Sequence, residues 1–151
     1  MQFYPVQPMN SIRISGGERG ETEVYKLLHY IHKGFSKAGG LIVDGILNIG
    51  RPDRGVRIHV PPHPMGDQAL TRPAHDPHDP DAEPRSTPGD PLHTPGRGTE
   101  VIIRIYPGEW PVEGSGQPGR ARDEVLLHEL VHAYMMQRGI SSVRNLNTAS
   151  N

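Results

Sequence analysis

The 151-residue chain contains no cysteine. Disulfide frameworks and thiolate metal sites are therefore excluded, and the redox compartment stays open. Aromatic residues make up only 5% of the chain and hydrophobic residues 34%, so part of it is expected never to pack. Acidic and basic side chains nearly cancel, leaving a formal charge of −1, which gives no electrostatic case for nucleic acid or an anionic membrane as partner. No apolar run approaches the length needed to span a bilayer. The start, Met1-Gln2-Phe3-Tyr4-Pro5, lacks the charged-then-apolar layout of a Sec signal peptide. A soluble chain is expected, with export by a specialised secretion route still open. The sequence does not address oligomeric state.

What the chain does have is glycine and proline, 18 and 16 residues respectively, and their placement divides it. Residues 1–10 read as a loose lead-in carrying Pro5 and Pro8, and 11–151 as one domain long enough for a core. Ser11-Ile12-Arg13-Ile14-Ser15 alternates polar and apolar, which predicts a short strand ended by Gly16-Gly17. Val24, Leu27, Leu28, Ile31 and Phe35 recur at spacings of three and four, predicting an amphipathic helix from Glu21 to about Phe35, capped by Thr22. His29 and His32 on that helix read as ordinary surface or core-edge histidines. The apolar run Leu41–Leu47 reads as a second short helix, with a strand as the alternative. Val56–Val60 and Thr99–Tyr106 read as two strands that pair.

Between those strands, residues 61–98 hold ten of the prolines and few apolar side chains, the composition of a flexible insertion or flap. Its His75-Asp76-Pro77-His78-Asp79-Pro80-Asp81 run has metal-ligand residue types, but the prolines prevent a regular helix from aligning them, so a solvated tract is the better reading. Trp110, in the loop from Glu109 to Gly119, can line a cleft or pack over the sheet end. The outline is α+β: a small domain with a short sheet packed on helices.

The strongest chemical signal is Val125-Leu126-Leu127-His128-Glu129-Leu130-Val131-His132-Ala133-Tyr134. A helix starting near Arg122 and stopped at Gly139 would place His128 and His132 one turn apart on one face, where both imidazoles reach one zinc ion. Glu129 beside them fits the general base of a metallopeptidase. Asp123 and Glu124 suit the positive end of the helix, and Glu124 also lies one turn before His128, where it can orient that ring. Tyr134 and Tyr106 are candidates to stabilise an oxyanion.

A catalytic zinc takes three protein ligands, and the third is missing. The metzincin extension is excluded because Met135 and Arg138 stand where glycine and histidine are required. The tail from Ala133 to Asn151 contains no Asp, Glu, His or Cys. Three explanations stand: a third ligand beyond Asn151, the favoured one; an upstream residue such as Glu109, Glu113, His59 or His63 that swings in; or a degenerate site that binds metal weakly or not at all.

The chain resembles the NleD-like zinc metallopeptidases, effectors that bacteria inject into host cells through type III secretion, with related domains serving as toxin modules of other secretion systems. The resemblance runs from about Ile12 to Gly139, through the first strand, the helix Glu21–Phe35, Gly39-Gly40-Leu41-Ile42 and the strand Val56–Val60. Its specific part is Leu126–Tyr134. It implies that His128 and His132 bind Zn2+, that Glu129 is the catalytic base, and that the third ligand lies downstream of this helix, where no position matches. It also implies a protein or peptide substrate in a target cell, signalling kinases being the family's precedent. The competing expectation is a degenerate zincin-like interaction protein whose Pro-rich segment binds partners.

Overall fold

The computed structural model describes residues 1–6, 11–66, 69–74, 98–110 and 121–140. These form a five-stranded mixed sheet with three helices, an α+β architecture. The strands are β1 (Gln2–Tyr4), β2 (Ile12–Ser15), β3 (Val56–His59), β4 (Leu70–Pro73) and β5 (Val101–Arg104). The helices are α1 (Glu18–His29), which continues as a π-helical segment Tyr30–Phe35, then α2 (Lys37–Leu47) and α3 (Arg122–Gln137).

The sheet order is β1-β2-β3-β5-β4. β2, β3 and β5 run parallel, whereas β1 and β4 are antiparallel additions at the two edges. The predicted pairing of β3 with β5 is present, in parallel register, with Val56 opposite Val101 and Ile58 opposite Ile103.

Strict alternation gives the sheet two different faces. Ile12, Ile14, Val56, Ile58, Val101 and Ile103 point to one side and are at most 1% exposed. They meet Val24 and Leu28 of α1, Val43 and Ile46 of α2, and Leu126, Leu130, Ala133 and Met136 of α3 in a single core. Each such side chain contributes about 1.5–3 kcal/mol by leaving water, so this shared face holds the fold. The opposite face is basic: Phe3, Arg13, Arg57, Ile102 and Arg72 lie side by side across the five strands. A chain of near-zero net charge thus carries three arginines in a row, with Arg13 paired to Glu100 at 2.7 Å.

Two strands fall where the sequence pattern points away from regular structure. β1 lies inside the lead-in 1–10, and β4 inside the Pro-rich segment 61–98. Both are edges, and β4 ends on Pro73, a residue tolerated there because an edge strand does not need every N–H in the ladder. The first helix also starts earlier than predicted. Its N-cap is Gly17, not Thr22; the Thr22 hydroxyl instead donates to the Glu18 carbonyl one turn back, at 2.8 Å. Glu21 supplies the missing acceptor by taking the Gly17 N–H at 2.8 Å. The second apolar run is helical, with Ser36 accepting from the Gly39 N–H at its N-terminus.

α3 is fastened at its C-terminal end. Gly139 has φ +65, its N–H reaches the Met136 carbonyl, and Ile140 reaches that of Met135, closing the last turn at the predicted glycine. The buried Gln137 side chain donates to the Arg54 carbonyl at 2.6 Å and lies 3.4 Å from that of Ile46. Gly98, at φ +81, packs on the Gln137 carbonyl so closely that a Cβ would stand 1.9 Å from its oxygen. Gly98→Ala is therefore expected to cost more than the about 1–3 kcal/mol of backbone strain alone. A thermal melt checks this: a clear drop in melting temperature is expected, and an unchanged melt would show that the helix end can shift freely.

Candidate metal and catalytic site

α3 must serve the core and the site from one cylinder. Leu126, Leu130 and Ala133 are fully buried against the sheet. The helical period then sets His128 toward solvent and His132 at the boundary, 9% exposed. Their Nε2 atoms stand 3.1 Å apart and the rings meet nearly edge-on, at 82°. Two nitrogen ligands of a tetrahedral zinc, each about 2.0–2.1 Å from the ion, would be separated by about 3.3 Å. The pair therefore fits as two ligands of one ion. Burial, then the neighbouring His128, hold the His132 pKa below its usual 6.5 and keep it in the neutral form that binds metal.

Glu129 reaches toward β4 and is only 5% exposed. Its Oε2 accepts a hydrogen bond from the Thr71 hydroxyl, which also stands 3.4 Å from the Glu129 carbonyl oxygen. Burial raises the Glu129 pKa above 4.5; the Thr71 bond, His128 and Arg72 each oppose that rise without cancelling it. A buried carboxylate with a raised pKa, beside the His128 imidazole, can accept and return a proton.

Among the described residues, no group of three His, Cys, Asp or Glu side chains is arranged to hold a metal ion. Of the upstream candidates for a third ligand, His59 is ruled out by its strand. It lies on the sheet face opposite Ile58 and pairs through Nδ1 with Ser15 Oγ at 2.9 Å. His63 is exposed in the loop after β3. Glu113 and the side chain of Glu109 lie outside the described residues, as do the His75–Asp81 run and the tail after Ile140. Glu124 is exposed in the first turn of α3.

Tyr134 is withdrawn from any oxyanion role. Six residues beyond His128, it faces roughly the other side of the helix. There its ring lies against Gly45 with the Arg138 guanidinium 3.8 Å from its centroid. Trp110 is a core residue, 6% exposed, whose carbonyl accepts from Arg122 at 3.0 Å. His32 lies at the core edge, one of its two expected places: Tyr4, its pKa pushed up to about 12 by burial and by Tyr25 and Asp44, keeps its proton and donates to Nδ1 at 2.5 Å. His32 Nε2 then donates to Asp44 at 2.7 Å, tying β1 to α2.

Thr71 is the site residue that the sequence reading did not identify. Leu70-Thr71-Arg72-Pro73 shows no polar–apolar alternation, and nothing in the sequence places a strand there beside α3. No protein-family model, curated protein or solved structure matches the chain.

The shifts of Glu129 and His132 make the metal-free protein sensitive to pH in opposite directions. The native state keeps the Glu129 proton to higher pH than the unfolded chain does, so stability falls as pH rises from 4.5 through the raised value. His132 refuses a proton that the unfolded chain accepts, so stability also falls as pH drops below 6.5. Glu129→Gln removes the first penalty while keeping an acceptor for Thr71. In chelator, this variant is expected to melt above wild type at pH 8, with the gap narrowing toward pH 4.5. Equal melting temperatures across that range would show that Glu129 bears no burial cost.

Proposed function

We propose that the domain is a zinc-dependent metalloendopeptidase acting on a protein or peptide, consistent with the resemblance to secreted bacterial effector and toxin peptidases. The observation that carries this reading is the approach of His128 and His132 to 3.1 Å on one turn of α3, with the buried Glu129 carboxylate between them in sequence. His128 and His132 would hold the ion through Nε2, with the third ligand supplied from outside the described residues. When bound, zinc supplies a Lewis acid for the scissile carbonyl and makes water more acidic.

The chain's own residues supply the proton chemistry. Glu129 takes a proton from the attacking water and passes it to the leaving amine as the C–N bond breaks, returning to its carboxylate form. Leu126, Leu130 and Ala133 behind it fix the helix, so the carboxylate and imidazoles keep their spacing through the cycle.

One observation favours the second reading, a degenerate zincin-like interaction protein: no third ligand joins the pair among the described residues. Metal content and cleavage separate the two. The expected result is one zinc per chain for wild type and Glu129→Ala, with cleavage of a casein substrate reduced at least about 100-fold in the variant, the usual loss for a general base. His128→Ala should lose both metal and activity. Equal cleavage by wild type and Glu129→Ala would sink the enzyme reading, and a zinc-free, inactive wild type would favour the interaction protein.

A further inference from the structure

We infer that Thr71 is a positioning residue for the proposed base, acting through Glu129 rather than on substrate or metal. The inference rests on the peptidase reading and adds a residue 58 positions away in the chain. Thr71 is 3% exposed and sits on the inward side of β4, opposite Ile103 of β5 in the ladder. Its backbone is therefore fixed by the sheet, while its hydroxyl faces α3. That hydroxyl has one proton to give, and it goes to Glu129 Oε2.

The two oxygens of the carboxylate are thereby made unequal. Oε2 is committed to Thr71. Oε1 has no hydrogen bond among the described residues, yet it is not one of the buried atoms lacking a partner. It is the oxygen left open to receive a proton. A carboxylate on a three-bond side chain otherwise samples several rotamers, each placing its open lone pairs differently. Thr71 removes that freedom by holding one oxygen from a neighbouring element, as groups outside the immediate reaction hold catalytic side chains elsewhere. A purely structural role needs only the volume of the side chain; the positioning role needs the hydroxyl.

Valine and serine divide those two requirements. Thr71→Val keeps the branched shape and removes the donor, whereas Thr71→Ser keeps the donor and removes a methyl group. Zinc-loaded wild type and both variants are compared for metal content, melting temperature and steady-state cleavage of one fluorogenic peptide. The expected result is a kcat at least about tenfold lower for valine, with KM and zinc content unchanged, and a kcat within about threefold of wild type for serine. Unchanged kcat in the valine variant overturns the inference. A loss confined to KM or to zinc content does so too, because it places Thr71 in binding or scaffold. If the valine variant does not fold, serine decides: retained kcat supports the inference, and a tenfold loss despite the hydroxyl overturns it. A wild type without zinc-dependent cleavage fails the peptidase reading itself, and the inference falls with it; a wild type that cleaves beside an unimpaired valine variant fails the inference alone.

Discussion

Everything in this fold depends on the packing of one helical stripe on one sheet face. Leu126, Leu130, Ala133 and Met136 of α3 press against the sheet where β5 and β4 lie. Because a helix turns about 100° per residue, the same contact that buries those side chains dictates where the intervening ones point. His128 goes outward, His132 to the boundary, and Glu129 toward the edge strand β4. The proposed metal pair and base are not placed by local design at the site; they are placed by the apolar contact behind it. The C-terminal end of the helix adds a second constraint, since Gln137 and Gly98 lock its rotation and height against the loops before β3 and β5.

That arrangement also explains the electrostatics. Glu129 is carried into a poorly solvated place because the helix face it occupies is adjacent to the core face. Burial there raises its pKa, and the one hydroxyl available from β4 returns part of the lost solvation. The histidine next to the core is held neutral by the same burial. Both groups therefore cost folded stability, Glu129 as pH rises and His132 as it falls, a cost that apolar residues at 129 and 132 would not carry.

Much of this was legible in the sequence, for identifiable reasons. Helix α3 announces itself by an apolar period from Val125 to Met136 and a glycine stop at Gly139, and its histidine spacing is a geometric statement about one turn. β2, β3 and β5 are short alternating or β-branched runs, and their elements appear where the pattern puts them. The edge strands were not legible. β1 is three residues beside prolines, and β4 is four residues ending in Pro73 within a segment whose composition reads as unstructured. Edge strands gain their order from a neighbour already in place, so their own residues need carry little signal. The Thr71–Glu129 contact was hidden for the same reason: it exists only once β4 lies beside β5. The Tyr4–His32–Asp44 chain likewise joins β1, the π-helical segment and α2, three segments that no local pattern links.

The central claim is that His128 and His132 bind a single zinc ion through their Nε2 atoms. Zinc K-edge X-ray absorption on the zinc-loaded protein tests it without reference to any substrate. The account predicts a four- or five-coordinate zinc with two imidazoles among nitrogen and oxygen ligands at about 2.0–2.1 Å, and the loss of one imidazole from that shell, or of the metal altogether, in His132→Ala. A zinc shell without imidazole, or one unchanged in His132→Ala, would contradict it.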